Sequence, residues 1–131
     1  MTKLKEVYGI QAVQFRDPTF GLKKGFIDDL CTEIEKQGLQ IKWGIETRLD
    51  LLNEEKISRM QAVGLVNINC GIETPNEEIA KASKRKLVSH QHQENIIKFC
   101  NKRKININAF FILGLEMDTI ESINQTISYA L

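Results

Sequence analysis

The sequence predicts an α/β fold, namely a partial (β/α) barrel of the TIM type with about four consecutive parallel βα units. Four apolar runs rich in β-branched residues each end at a polar residue, and a segment with helical spacing of apolar residues follows each run. Right-handed crossovers leave two arrangements of such units, part of a barrel or a doubly wound sheet. Residues 16–20 (RDPTF) stand where a doubly wound sheet would carry a glycine-rich phosphate loop, and this favours the barrel.

The strands are predicted from the four apolar runs. A polar or charged residue, which we call the polar stop, follows each run along the chain. The runs are residues 10–15, 41–45, 66–72 and 107–115, and the stops are Asp17, Arg48, Glu73 and Glu116. Parallel strands place their carboxyl ends on one rim of the sheet. We therefore expect these four polar side chains to face one site.

The first two helices are predicted from apolar spacing and from their ends. Ile27 and Ile34 belong to the stripe of the first helix, and Gly38 stands where a left-handed C-terminal cap would end it. Asn53 is placed to cap the second helix, which Gly64 closes.

The third connection is longer, and the fourth helix follows the last strand. Residues 74–82 begin with a short helix, a basic stretch at 84–86 interrupts, and Ser89 is placed to cap a further helix. Asp118 with Glu121 has the spacing of a capping box for the last helix.

Composition indicates one domain over residues 1–131. The chain has 131 residues, 42% hydrophobic and 27% charged, which is enough for one core and too little for two domains. A net charge of +1 gives no field that would imply a nucleic acid or membrane partner. The longest apolar run, 109–115, is far shorter than the roughly 20 residues that span a bilayer. We expect a soluble, cytoplasmic protein.

The cysteines and histidines predict no metal site within the chain. Cys31, Cys70 and Cys100 are widely spaced and odd in number, so we expect buried thiols in a reducing compartment rather than disulfides or metal ligands. His90 and His92 are two residues apart at a helix start, which points them to different faces.

Among the polar stops, Glu73 is the strongest candidate for ligand contact. It comes directly off a strand, Gly71 lets a ligand approach the backbone, and a carboxylate accepts hydrogen bonds from hydroxyl or amino groups. The alternative is a favourable negative charge at the start of the next helix. Each other candidate also has a plain structural reading: Asp17 as a turn former before Pro18, Arg48 as the partner of Asp50, and the run 84–86 as a solvated basic surface.

Five segments together resemble the middle of a radical S-adenosylmethionine (SAM) enzyme, most of all the branch that often carries an upstream cobalamin-binding domain. The likeness covers nearly the whole chain, in order and at suitable spacing. The segments are 13–20 (VQFRDPTF), 43–50 ending in TRLD, 60–64 (MQAVG), 70–74 (CGIET) and 109–115 (AFFILGL).

The resemblance implies a partial (β/α)6 barrel in which a [4Fe-4S] cluster binds SAM and cleaves it to a 5′-deoxyadenosyl radical. It implies SAM contacts by Glu73, by the basic residues Arg48, Lys84 and Arg85 near the SAM carboxylate or the substrate, and by the strand end at Leu113 and Gly114 along adenine. Asp17 corresponds to a position facing substrate. Cobalamin in an upstream domain is a further implied cofactor of the parent protein.

Two features depart from the family pattern. The Cys-x3-Cys-x2-Cys segment that holds the cluster is absent from the sequence, and Glu116 replaces the proline that commonly follows Gly-Leu. Without thiolate ligands there is no cluster and no reductive cleavage. We expect the first strand and its cluster loop to lie upstream, in a longer parent.

The function expected of the isolated chain follows from these departures. The first hypothesis is a fragment of a radical SAM enzyme, inactive alone, whose partner is the remainder of the parent. The second is a stand-alone, non-catalytic binding or assembly module derived from the same barrel. A third is an unrelated barrel enzyme with Asp17 and Glu73 as acid and base. Because two sheet edges stay unpaired in a four-unit slice, we also expect self-association.

Overall fold

A computed structural model describes residues 1–17 and 19–131 and contains one sheet of four parallel strands in the order β1-β2-β3-β4. The predicted α/β fold is confirmed. Strand order that equals chain order is the pattern of consecutive barrel units, whereas a doubly wound sheet reverses direction part-way. The elements are α1 (Thr2–Tyr8), β1 (Ala12–Gln14), α2 (Phe26–Lys36), β2 (Lys42–Arg48), a 3₁₀ turn (Leu49–Leu51), α3 (Glu54–Ala62), β3 (Leu65–Glu73), α4 (Glu77–Ala82), α5 (His90–Lys102), β4 (Asn106–Phe111) and α6 (Ile120–Ala130).

The core lies between one face of the sheet and helices α2, α3 and α5. Trp43 and Ile45 of β2 are at most 1% exposed, and they alternate with the less buried Glu46 and Arg48 on the opposite face. The Trp43 indole N–H donates to the Val63 carbonyl at 2.8 Å, so this large ring is both packed and satisfied. The members of the core cluster from the helices are Ile27, Cys31, Ile34, Ile57, Met60, Ile96 and Cys100.

All three cysteines are free and buried, as predicted. Burial raises the pKa of Cys70 to about 12, with a further contribution from nearby Cys100, whose own pKa burial raises to about 11. Burial also raises the pKa of Cys31. These thiols are therefore protonated at neutral pH and act as small apolar core residues.

Two predicted helix caps are confirmed and one is wrong. The Asn53 side chain accepts a hydrogen bond from the Lys56 backbone N–H at the start of α3, and the Ser89 side chain accepts one from the His92 backbone N–H at the start of α5. The capping box of α6 is formed by Thr119 with Ser122 rather than by Asp118 with Glu121. Asp118 instead accepts the backbone amides of residues 114 and 115, which closes the loop before the helix.

The strand ends differ from the predicted bounds. β1 covers only Ala12–Gln14, and β2 continues to Arg48, so this predicted stop is the last residue of the strand. β4 ends at Phe111, because Gly114 has φ +88° and the loop beyond it turns onto Asp118. Helix α1 was not predicted, since none of its residues is buried and it has no apolar stripe facing the core.

Within the described part of the chain, no helix is both long enough and apolar enough to cross a membrane.

Gly64 is a position where the fold requires glycine. Its φ is +107°, and an added Cβ would clash with the Ile41 carbonyl oxygen. Gly38 also has a positive φ, +57°, but an added Cβ there would meet open space. A side chain at Gly38 would cause backbone strain alone, whereas a side chain at Gly64 would cause both backbone strain and a steric clash.

We expect Gly64→Ala to lower the free energy of unfolding by about 3 kcal/mol or more, because strain and a backbone clash add. Gly38→Ala should cost only about 1 kcal/mol, the penalty of the left-handed conformation. Urea denaturation followed by circular dichroism measures both, and equal losses would contradict the clash at Gly64.

Candidate functional site

A cavity of about 200 Å³ lies where the carboxyl ends of β2 and β3 meet the segment between α4 and α5. We call it the rim cavity. Four residues singled out in the sequence line it: Arg48, Glu73, Lys84 and Arg85. The other residues that line it are Leu49, Asp50, Gly71, Ile72, Thr74, Ala80, Lys86, Leu87 and Val88.

Glu73 is held in an unusual backbone conformation at this rim. Its φ is +71°, in the left-handed region that side-chain-bearing residues rarely adopt, and the register of β3 against β4 shifts between Gly71 and Glu73. The Glu73 carbonyl accepts the Ile112 amide at 2.8 Å, which ties the irregular strand end to the chain following β4. The irregularity turns the carboxylate into the cavity, where it accepts the Arg85 guanidinium at 3.0 Å.

Gly71 makes room for that carboxylate. An added Cβ at Gly71 would lie 3.2 Å from Glu73 Oε1, tighter than an ordinary contact. Glycine at position 71 therefore has a role besides letting a ligand approach the backbone: it leaves room for the Glu73 side chain, which folds back over it.

Asp50 organises the other side of the cavity. Its carboxylate accepts Arg48 Nε at 2.9 Å and Arg48 Nη2 at 2.7 Å, a bidentate pair, and also accepts Lys86 Nζ at 2.7 Å. Burial by itself raises the pKa of the Asp50 carboxyl, but the hydrogen bonds from Arg48 and Lys86 outweigh it and hold the pKa below its usual value. The structure thus shows the interpretation that was given as the alternative for Arg48, a pair with Asp50.

The rim cavity has an excess of positive charge. Four basic side chains (Arg48, Lys84, Arg85 and Lys86) face two carboxylates (Asp50 and Glu73), a formal excess of two. Lys84 takes part in no salt bridge among the described residues and has a left-handed φ of +54°. Such a mixture suits a small ligand that carries both an anionic group and hydrogen-bond donors.

Three predicted site residues lie outside this cavity. Asp17 is exposed and accepts the Thr19 amide at 3.0 Å, a local turn of the kind its alternative reading described; Pro18 itself lies outside the described residues. Leu113 is 51% exposed, and the Gly114 amide donates to Asp118. Both belong to the loop after β4 and not to a strand.

Sequence reasoning missed a set of amide side chains on the sheet face opposite the core. The triplet Asn-Ile-Asn occurs in β3 at 67–69 and again in β4 at 106–108, and the two triplets pair residue by residue. The repeated alternation of asparagine with isoleucine was the available signal. It indicates strand segments with isoleucine on one face and asparagine on the other.

The described residues contain no group of three His, Cys, Asp or Glu side chains that could hold a metal ion. The three cysteines are buried in the core with two pKa values near 11 and 12. The chain's own residues therefore do not fit a [4Fe-4S] cluster, which needs accessible thiolates.

The pH dependence of stability should report on Asp50. Because its pKa is lower in the folded protein, its contribution to the free energy of unfolding is present above the unfolded pKa and is lost as pH falls through the folded pKa. We expect Asp50→Asn to make the loss of stability below about pH 4 shallower, and to cost about 1 to 3 kcal/mol at pH 7. Urea titrations at several pH values measure it. Glu77→Gln, which removes an exposed surface pair with Lys81, is the matched control and should leave the profile nearly unchanged.

Two curated proteins illustrate the relationship of this chain to known sequences. It is 29% identical over 123 residues to an uncharacterised methyltransferase of Pyrococcus horikoshii, covering 94% of the chain and 27% of that protein. It is 31% identical over 116 residues to the anaerobic magnesium-protoporphyrin IX monomethyl ester cyclase of Rubrivivax gelatinosus, covering 87% of the chain and 20% of the cyclase. The chain thus spans about a quarter of the length of these relatives.

Solved structures show the same fold. The radical SAM methyltransferase TsrM from Kitasatospora setae, with cobalamin and a [4Fe-4S] cluster bound, superposes with a TM-score of 0.84 at 16% identity over 98% of this chain and 25% of its own. Coproporphyrinogen III oxidase HemN from Escherichia coli, a radical SAM enzyme, superposes with a TM-score of 0.78 at 17% identity over 92% of this chain and 29% of its own. The family model of the radical SAM superfamily matches residues 1–130, and the chain therefore belongs to that superfamily.

Proposed function

We propose that this chain forms the central part of the barrel of a radical SAM enzyme and that its rim cavity holds part of SAM. The observation that supports this is the convergence of Arg48, Glu73, Lys84 and Arg85 on one cavity of about 200 Å³. These are the residues that the family resemblance pairs with SAM or its surroundings. When bound, SAM supplies a sulfonium whose carbon–sulfur bond the family breaks reductively.

Each residue of the cavity has a proposed task. Glu73 accepts hydrogen bonds from hydroxyl or amino groups of SAM through acceptor sites of its carboxylate that remain beside the single bond from Arg85 to Oε1. Lys84, which has no salt bridge in the described part of the chain, supplies the positive charge for the SAM carboxylate. Arg48 is held by Asp50 and contributes its remaining N–H groups.

The exposed candidates have proposed roles outside the rim cavity. Leu113 and Gly114, in the loop after β4, would offer their backbone to adenine, and Asp17 would face substrate. Neither role draws support from the rim cavity, since none of the three residues lines it.

We further propose that the cluster ligands come from another part of the parent enzyme, and that the isolated chain is inactive. The core positions of Cys31, Cys70 and Cys100 support this, and they also suit a reducing cytoplasm. Cobalamin in a separate domain is a proposal supported by the TsrM likeness, whose structure holds that cofactor. The alternative is a stand-alone, non-catalytic module that keeps the rim cavity, favoured by the lack of any Cys-x3-Cys-x2-Cys in the sequence.

We expect the purified chain to bind SAM without a cluster. Because the contacts are charge-assisted, Glu73→Gln and Lys84→Gln should each weaken binding about tenfold. Isothermal titration calorimetry measures this. Lys98→Gln is the control, since Lys98 is exposed on α5 and its one salt bridge among the described residues is with Glu94. Heat that does not saturate at millimolar SAM, from a chain folded by circular dichroism, would refute the assignment.

The two functional alternatives predict different upstream coding sequences. A fragment requires an in-frame Cys-x3-Cys-x2-Cys segment directly before residue 1. The chain joined to that segment should bind a [4Fe-4S] cluster on anaerobic reconstitution, which iron and sulfide analysis of the purified protein measures. A stop codon in that frame would instead favour the stand-alone module.

Self-association is a further proposal, supported by unpaired strand edges and by exposed apolar side chains on α6. In the part of the chain that the structure describes, β1 and β4 each have one strand neighbour, and Ile120 is 82% exposed. We expect light scattering at micromolar concentration to give a mass above 15.0 kDa. A single monomeric species there would refute the proposal.

A further inference from the structure

The first turn of α5 makes a hydrogen bond to each of two walls of the rim cavity. One wall is residues 48–50, at the end of β2 and the start of the 3₁₀ turn, and we call it the strand wall. The other is residues 84–88, between α4 and α5, and we call it the segment wall. The two bonds come from adjacent side chains, those of His92 and Gln93.

His92 holds the strand wall by its backbone. Its Nε2 lies 3.0 Å from the Leu49 carbonyl oxygen. Because a carbonyl oxygen only accepts hydrogen bonds, Nε2 carries a proton and donates it. The Leu49 carbonyl belongs to the planar peptide that leads into Asp50, so this bond fixes the backbone that carries the Asp50 carboxylate. That carboxylate in turn accepts hydrogen bonds from Arg48 and Lys86.

Gln93 holds the segment wall. It is 4% exposed, and its Nε2 donates to the Val88 carbonyl at 2.7 Å. Among the described residues, this is the one hydrogen bond made by the backbone of residues 86–88. The side chains of Arg85 and Lys86, which form ion pairs, are 48% and 66% exposed, and ion pairs at that exposure contribute little. Gln93 therefore provides the buried constraint on an irregular segment.

Tyr129 of α6 pairs the other end of the Gln93 amide. Its hydroxyl donates to Gln93 Oε1 at 2.9 Å. Because the Val88 carbonyl can only accept, the amide has one orientation, with both of its ends bonded. The Tyr129 ring also packs on His90, at 4.9 Å between ring centroids. The two histidines of α5 thus have separate contacts, His90 with α6 and His92 with the strand wall.

We propose that His92 and Gln93 are positioning residues of the rim cavity. Neighbouring helix positions point about 100° apart, so two residues adjacent in sequence reach different walls from one helical turn. That turn sets the separation of the strand wall, which carries Arg48, from the segment wall, which carries Lys84 and Arg85. The inference rests on the proposed function for its effect on SAM binding, whereas the geometry of the two walls is measured without SAM.

The Arg48 Nε–H signal in NMR of the ¹⁵N-labelled chain tests the strand wall. This proton bonds to Asp50, so we expect it to exchange slowly with water. His92→Leu should speed the exchange about tenfold, because the Asp50 carboxylate is no longer held in place. His92→Gln should restore the slow rate, since the glutamine amide nitrogen is as many bonds from the backbone as Nε2 and also donates.

Trypsin tests the segment wall, since it cleaves after lysine and arginine and residues 84–86 are Lys-Arg-Lys. Gln93→Leu should speed cleavage there about tenfold, because the segment loses its backbone hydrogen bond and opens locally more often. Mass spectrometry locates the cuts. Tyr129→Phe, which removes only the hydroxyl, should speed cleavage about threefold and decides the question if Gln93→Leu does not fold.

Gln91→Leu is the matched control. Gln91 lies in the same turn of α5, but its side chain bonds to Asn95 within the helix. The variant should change neither the Arg48 exchange rate nor the cleavage rate at residues 84–86.

Four results would overturn the proposal. They are unchanged Arg48 exchange in His92→Leu, exchange in His92→Gln as fast as in His92→Leu, unchanged cleavage at residues 84–86 in the Gln93 and Tyr129 variants that fold, and equal effects from the control. The second result would mean that His92 acts by packing alone.

Calorimetry with SAM keeps this inference apart from the proposed function. We expect His92→Leu and Gln93→Leu each to weaken SAM binding about tenfold, and His92→Gln to bind SAM like the wild type. If the wild type does not bind SAM, the proposed function fails, and the exchange and cleavage rates still decide the positioning of the walls. Unchanged SAM affinity in variants with faster exchange and cleavage would show that the two residues do not position the site.

Discussion

The pairing of β2 with β3 is the interaction on which the rest of the structure depends. Its register sets Ile45 beside Ile68 on the core side and Glu46 beside Asn69 on the opposite face of the sheet, so one ladder determines both the hydrophobic core and the polar surface. The same ladder ends with Arg48 beside Gly71, which brings the two walls of the rim cavity together. A shift of one residue would exchange the two faces of β3, placing asparagines in the core.

Much of the fold could be predicted because the strand and helix signals are local. Apolar runs, the caps at Asn53 and Ser89, and the glycines that follow α2 and α3 all act within a few residues. The errors lie where a tertiary partner decides. Thr119 and Ser122 form the capping box of α6 because the Asp118 carboxylate accepts backbone N–H groups of the loop after β4 instead. The turn of the same loop ends β4 at Phe111.

The site was predictable only in part, for a related reason. The carboxyl ends of parallel strands lie on one rim of a sheet, so the sequence alone predicted that Arg48 and Glu73 lie near each other. The contribution of Asp50 depends on a side chain 36 residues away, Lys86, and on burial, neither of which spacing encodes. The asparagines of β3 and β4 were not predicted to form a layer because asparagine is a weak strand former. Their interaction becomes evident only when the strand pairing places them beside one another.

Glu73 combines a carboxylate that lines the rim cavity with an unfavourable backbone conformation. At φ +71° a glycine would be more stable by about 1 to 2 kcal/mol, yet glycine has no carboxylate to offer the cavity. Folding and the proposed ligand contact thus make opposite demands on one residue. A library of variants at this position enriched for thermal stability alone would converge on glycine, and every round of that enrichment would remove the acceptor from the cavity.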